Sequence, residues 1–277
     1  MRRTSLHRLA GLIPSITSLL LVTACSSATS TNGPSPSDRA TASPTAIETP
    51  APEESPPSLE EICLSSEIKA RSMWLVASDG VRLYAVESGT GDTAVVLAHE
   101  SGSDLCIWLS YMKTLNRAGI RTLAFDFRGY GESDYPADEH LLALGLDLAA
   151  AVDRVQADGA EHVFLLGASM GGAAVVQNSA GIRVDGLISL SGTRFPEGYG
   201  INDSAGVQSL SAPFLYVGSR QDVRTPVGQA RSVFGRVGSR DKQIVLYPGG
   251  AHGITLVDTQ PQTRALILRW IESRAAG

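Results

Sequence analysis

The stretch His162 to Val176, HVFLLGASMGGAAVV, decides how this chain reads. Val163–Leu166 is an apolar run suited to a buried strand, and Gly171–Ser179 has the composition of a helix. Between them lies Gly167-Ala168-Ser169-Met170-Gly171, a G-x-S-x-G turn joining strand to helix. Glycine tolerates the tight, strained geometry that lifts a serine above a sheet edge, so Ser169 is a candidate nucleophile. The plain alternative is a turn serine without chemical work.

A serine hydroxyl attacks poorly until a base removes its proton. His252 suits that task. It sits in Pro248-Gly249-Gly250-Ala251-His252-Gly253, directly after an apolar run ending at Tyr247. The other histidines fit less well: His7 and His140 lie outside strand ends, His162 begins a strand, and His99 ends one but precedes Ser169 by 70 residues. An imidazole base needs a carboxylate on its second nitrogen, to fix the tautomer and stabilise the imidazolium. Asp222 follows the strand beginning at Phe214 and falls between Ser169 and His252 in the sequence. Asp203 and Glu197, after the preceding strand, are the alternatives.

Outward from this core, strand and helix alternate. Arg71–Ala77 and Val81–Glu87 are β-rich runs around a Ser78-Asp79-Gly80 hairpin turn. Strands are predicted at Thr93–His99, Ile120–Phe125, Val163–Leu166, Gly186–Leu190, Phe214–Gly218 and Gln243–Tyr247. Helical spacing appears at Cys106–Ala118, Leu141–Ala157, Gly171–Ser179, Val227–Val237 and Thr263–Ser273. Alternation of this kind predicts an α/β architecture: a doubly wound, mostly parallel sheet with helices on both faces and an opening β-hairpin.

The order Ser, Asp, His on alternating strands and helices resembles the α/β-hydrolase superfamily, from about Met73 to Arg274. Asp126-Phe127-Arg128-Gly129-Tyr130-Gly131-Glu132-Ser133 resembles that family's loop after the fourth strand. The resemblance implies Ser169 as nucleophile, His252 as base then acid, and Asp222 as the orienting carboxylate. It implies an oxyanion hole from the backbone N–H of Met170 and a second amide within His99–Ser103, at Ser101. It also speaks against dehalogenase or epoxide-hydrolase chemistry, which in this superfamily uses an aspartate nucleophile. Glu100 departs from the pattern, which has glycine after that histidine. A carboxylate beside a developing oxyanion would be harmful, so Glu100 is expected to point away or to bind a cationic part of the substrate. Many relatives insert a helical cap where this chain has only Ser191–Ala212, so no large cap domain is expected. Phe195, Tyr199 and Ile201 are candidates for a small flap, and Trp108 and Tyr130 for apolar pocket walls, with core packing an equal alternative for Trp108.

The chain has 277 residues, is 43% hydrophobic and 18% charged, and carries a formal charge of −5. Its acidic balance argues against nucleic-acid binding, which wants a basic face. Its three cysteines and five histidines lack the close spacing of a zinc module. No metal or nucleotide motif is present, and no cofactor is expected.

The first 24 residues have the layout of a secretory signal: Arg2, Arg3 and Arg8, then an apolar stretch to Ala24 broken by Gly11 and Pro14. Leu21-Val22-Thr23-Ala24-Cys25 resembles the bacterial lipobox, which implies a lipid on Cys25 and a place on the outer face of the cell membrane; a simple cleaved signal and secretion is the alternative. The Arg2-Arg3 pair leaves the export route open between the general and twin-arginine systems. Loss of residues 1–24 leaves 20 cations against 28 acids, net −8, so attachment would rest on the lipid. In residues 26–58, 20 of 33 are Ser, Thr or Pro, too polar to bury a core. This tether would span roughly 30 Å as a coil, or about 100 Å extended, with the hydrolase domain over 59–277. With Cys25 lipidated, Cys63 and Cys106 remain, and in an oxidising exterior they are expected to form a disulfide; two free thiols are the alternative.

The expected function is hydrolysis of a small-molecule carboxylic ester or thioester through an acyl-enzyme on Ser169, with no protein partner indicated. Acyltransferase or peptidase action on cell-envelope substrates shares the same residues. A non-catalytic surface binding protein is the alternative of a different class.

Overall fold

Residues 94–98 and 163–168 are apolar and almost wholly buried, as strands covered on both faces must be. The structure, a computed structural model, describes residues 55–63, 68–137, 141–193 and 204–276. In chain order the elements are α1 (Leu59–Cys63), β1 (Ala70–Val76), β2 (Arg82–Ser88), β3 (Thr93–Ala98), α2 (Leu109–Arg117), β4 (Arg121–Phe125), α3 (Leu144–Ala157), β5 (His162–Ala168), α4 (Met170–Asn178), β6 (Gly186–Leu190), α5 (Ser204–Ser209), β7 (Phe214–Ser219), α6 (Val227–Arg236), β8 (Lys242–Tyr247), α7 (Thr255–Thr259) and α8 (Pro261–Ala275).

The eight strands form one sheet in the order β1-β2-β4-β3-β5-β6-β7-β8. β1 pairs antiparallel with β2, and β2 with β4; every other pairing is parallel. β3 and β5 are neighbours, yet the chain leaves β3 toward β4 on one side and β5 toward β6 on the other. A crevice opens at such a reversal, outside the carboxyl ends of the two strands. The loop after β3 and the turn after β5 therefore face each other.

Side-chain alternation splits the core into two layers. Val96, Leu165 and Tyr216 pack on one face with Leu148, Val152 and Val155 of α3 and Val175 of α4. Val95, Leu97, Phe164 and Leu166 pack on the other with Met112 and Leu115 of α2 and Ile267, Trp270 and Ile271 of α8. The predicted α/β architecture and opening hairpin are thus observed, and among the described residues no large cap is present: α5, six residues long, is the helix between β6 and β7.

One detail differs from the sequence reading, and for Trp108 the structure shows which of two alternatives holds. The helix predicted from Cys106 is interrupted: Leu105–Trp108 is a 3₁₀ turn, and α2 begins at Leu109. Two carboxylates set this turn: that of Asp104 accepts the Cys106 N–H at 2.9 Å, and that of Asp126, 21 positions away, accepts the Leu105 N–H at 2.7 Å. Trp108 is not a pocket wall. It is fully buried in the core, with its ring 6.5 Å from that of Tyr111. The short helices α1, α5 and α7 have too few turns to show a period. Cys25, the signal segment, nearly all of the tether, and Phe195, Tyr199 and Ile201 lie outside the described residues.

Cys63 and Cys106 are joined as a disulfide, with a Cα–Cα distance of 5.6 Å. The bridge ties α1 to the 3₁₀ turn that follows the loop after β3. Among the described residues no helix is long and apolar enough to cross a membrane.

Candidate active site

Ser169 stands between the last residue of β5 and the first of α4, with φ +47° and ψ −106°. A positive φ at a non-glycine residue costs about 1–3 kcal/mol and persists only where its surroundings enforce it. Here they do. The Ser169 N–H donates to the Leu190 carbonyl at 2.9 Å, and the Gly171 N–H to the His99 carbonyl at 3.0 Å. Gly171 lies so close to the end of β3 that a Cβ would collide with the Ala98 carbonyl oxygen. The elbow is wedged between β3 and β6.

His252 Nε2 is 2.8 Å from Ser169 Oγ, and His252 Nδ1 is 2.7 Å from Asp222 Oδ2. Asp222 is buried, and its other oxygen accepts the N–H groups of Arg224 at 2.9 Å and Thr225 at 3.1 Å. Those two bonds hold the carboxylate so that Oδ2 faces the imidazole. An ionised carboxylate only accepts, so Nδ1 carries the proton and Nε2 presents its lone pair to the serine hydroxyl. Thr225 anchors this turn in turn, its hydroxyl donating to the Ser191 carbonyl at 2.8 Å at the end of β6. Three separate strand ends thus deliver one connected chain, Asp222–His252–Ser169. Asp203, Glu197 and His140 fall outside the described residues.

His99 has a different task. Its Nε2 accepts the Phe127 N–H at 3.0 Å, so Nδ1 carries the hydrogen and donates to the Glu100 carbonyl at 2.9 Å. Burial pushes its pKa down to about 4, keeping it neutral. In a trans peptide the C=O and the following N–H point in opposite directions. Pinning the Glu100 carbonyl to His99 therefore aims the Ser101 N–H away from that ring. Met170 opens α4, so its N–H has no carbonyl four residues back and is available at the positive end of the helix.

The Asp126–Ser133 loop, legible in the sequence as a family-like stretch, is the scaffold beneath these groups. Asp126 accepts the N–H groups of Leu105 and of Glu132, the latter at 3.0 Å, and the Ser133 hydroxyl donates to the Asp126 carbonyl at 2.6 Å. Burial raises the Asp126 pKa to about 7. The Arg128 guanidinium lies between Asp147 and Asp79, 2.7 Å from each. The partnership with Asp147 has no short-range sequence signal.

A cleft of about 370 Å³ opens beside Ser169. Its walls include Ser101, Tyr130, Tyr135, Leu141, Leu144 and Met170. Tyr130 is where the sequence reading put it. Glu100 and His252 do not line this cleft; the Glu100 carboxylate turns to the histidine loop and accepts the Ile254 N–H at 3.1 Å. Sequence reasoning left that destination open, because the two residues are 154 positions apart.

Known proteins resemble parts of this chain and its fold. Mouse protein phosphatase methylesterase 1 is 31% identical over 115 residues, covering 40% of this chain and 29% of that protein. Epoxide hydrolase A of Mycobacterium tuberculosis is 35% identical over 128 residues, covering 44% of this chain and 38% of its own. The matched segment thus spans less than two fifths of either curated relative. Among solved structures, an esterase of Pyrococcus furiosus superposes with a TM-score of 0.63 at 16% identity, over 80% of this chain and 99% of that one. The ferulic acid complex of Est1E from Butyrivibrio proteoclasticus also gives a TM-score of 0.63, at 19% identity, over 74% of this chain and 100% of that one. These two likenesses concern the fold. The Alpha/beta hydrolase family profile matches residues 95–237, from β3 through the end of α6 and more than half of the chain. Taken with the sheet order and the strand-end position of Ser169, that match means the chain belongs to the alpha/beta hydrolase family.

Proposed function

We propose that this protein is a serine esterase, acting on a small carboxylic ester or thioester through an acyl-enzyme on Ser169. The observation that carries the reading is the unbroken contact from Asp222 through His252 to Ser169, at 2.7 and 2.8 Å. Ser169 Oγ attacks the acyl carbon while His252 Nε2 takes its proton. The carbonyl electrons move onto oxygen, facing the amides of Met170 and Ser101. Collapse expels the alcohol oxygen, which leaves with the proton held on Nε2. Water then repeats the sequence: His252 takes its proton, hydroxide adds to the acyl carbon, and Ser169 departs reprotonated. Asp222 stays ionised and stabilises the imidazolium. A hydroxyl at the elbow favours acyl transfer over the epoxide opening named for some relatives.

The leaving group must sit beside His252, which protonates it. The apolar cleft lies away from the histidine loop, so it receives the acyl group. Its volume is near the lower end of ligand pockets, about 300–1,000 Å³, which favours short acyl chains. The test is hydrolysis of p-nitrophenyl acetate, butyrate and octanoate by the purified protein beside Ser169→Ala. Activity should fall from butyrate to octanoate and vanish in the variant. Unchanged activity in Ser169→Ala would remove Ser169 as nucleophile.

We also infer that the domain is held at the outer face of the membrane by a lipid on Cys25. The lipobox-like Leu21–Cys25 supports this, as does the disulfide, which belongs to an oxidising compartment. Detergent partitioning of the protein beside Cys25→Ser tests it: the variant should move to the aqueous phase.

A further inference from the structure

We infer that Glu100 is a positioning residue: its carboxylate locks the loop carrying His252 onto the loop carrying the second oxyanion amide. The inference rests on the esterase reading for its catalytic consequence, though not for its structural content.

Three observations carry it. First, Glu100 Oε2 accepts the Ile254 N–H at 3.1 Å. Ile254 precedes the first residue of α7, where amides lack intrahelical acceptors, so the carboxylate satisfies a donor that the helix cannot. Second, Gly253 adopts φ +55°, and a Cβ there would collide with the same Glu100 oxygen and approach Ser169 Cβ. The carboxylate thus fills the space between the histidine loop and the elbow. Third, the Glu100 backbone is fixed independently, through the hydrogen bond of its carbonyl to His99 Nδ1. One residue therefore joins two machines. Its carbonyl sets the direction of the Ser101 amide, and its side chain sets the position of the residues after His252.

The rest of the histidine loop shows why such a tie matters. Upstream, Gly249 is tied to Gln221, whose N–H donates to the Gly249 carbonyl at 2.9 Å and whose side-chain oxygen accepts the Gly249 N–H, but around His252 itself the hydrogen bonds are local, with Thr255. Asp222 and Ser169 hold the imidazole ring at its two nitrogens, but the Ser169 contact is broken and remade in every turnover. The Glu100–Ile254 bond persists through the cycle and keeps the backbone of the base in register with the oxyanion amides. A negative charge beside the oxyanion hole is tolerated because the carboxylate points at an N–H donor and does not line the cleft.

The test uses the full chain as wild type, Glu100→Gln and Glu100→Ala, with two readouts. The low-field proton resonance of the His252–Asp222 hydrogen bond reports the order of the loop without any substrate. Steady-state hydrolysis of p-nitrophenyl butyrate reports the catalytic consequence. Glu100→Ala should melt within a few degrees of wild type, lose the low-field signal to exchange, and drop kcat about tenfold to a hundredfold at constant KM, the scale of an ångström-sized misplacement. Glu100→Gln keeps an acceptor oxygen and should restore the signal and most of kcat. A sharp low-field signal in Glu100→Ala would overturn the inference, as would a Glu100→Gln variant as impaired as Glu100→Ala. A wild type with the signal but no turnover would defeat the esterase reading while leaving the positioning role to be read from the spectra.

Discussion

Arg128 and Asp147 form an ion pair in which neither side chain is exposed, with Nη2 2.7 Å from Oδ1. Arg128 Nε donates to the same oxygen at 2.8 Å, and the Arg128 backbone N–H donates to Oδ2 at 3.1 Å. The pair joins the loop after β4 to α3, and it underlies the cleft that Arg128 and Gly129 help to line. Asp79, at the hairpin turn, completes the coordination with a carboxylate that is one-fifth exposed. Removing the fully buried partner is expensive, because it leaves the buried Arg128 held only by the part-exposed Asp79 and strips its Nε and backbone N–H of their acceptor. Asp147→Ala should therefore lower the unfolding free energy by about 3–5 kcal/mol in urea titrations. Asp79→Ala leaves Arg128 paired with Asp147 and should cost less, about 1–3 kcal/mol. Equal losses would mean that the inner partner holds no special place.

The orienting role proposed for Asp222 has its own signature. Asp222→Asn can still accept the Arg224 and Thr225 amides, but its amide group favours the wrong tautomer of His252. The expected loss in kcat is about 10⁴-fold, by analogy with the same change in serine proteases. Thermal melting should move little. A kcat within tenfold of wild type on p-nitrophenyl butyrate would assign the orienting task elsewhere.

Asp126 makes the stability of the fold depend on pH. Burial raises its pKa from 3.8 to about 7. Over that interval the native protein holds a proton that the unfolded chain has released, so stability falls as pH rises. The contribution is complete below about pH 4, disappears as pH passes 7, and is on the order of 4 kcal/mol across the range. Asp126→Asn abolishes the titration. It also aims an amide NH₂ at one of the two backbone donors, Leu105 or Glu132, and should destabilise at every pH. The stability difference between wild type and variant should thus shrink from pH 4 to pH 7. A difference that stays constant from pH 4 to pH 7 would show that Asp126 is ionised throughout.

The Cys63–Cys106 bridge closes a separation of 43 residues. On the chain-entropy account such a closure stabilises by about 4 kcal/mol. The double variant Cys63→Ser/Cys106→Ser should lose that much in urea titrations, and wild type in reductant should lose the same amount. A reductant effect that persists in the double variant would come from another source.

The amino-acid sequence by itself determined the strands and the longer helices of this protein and marked its candidate site residues. Period and composition mark the strands because buried parallel strands must be apolar on both faces, and Gly186–Leu190 is observed at its predicted limits. Ser169, Asp222 and His252 stand out because each follows a strand, where local glycines and turn residues leave a signature. Tertiary structure decided what has no local signature. Asp147 pairs with Arg128 across 19 positions, and Glu100 meets Ile254 across 154. Trp108 went into the core, because the 3₁₀ turn set by Asp104 and Asp126 fixes which way its ring faces. Strand period and turn chemistry are properties of neighbours in the chain, and a sequence displays them directly. Which carboxylate meets which donor depends on the order of strands in the sheet, and that order exists only once the chain has folded.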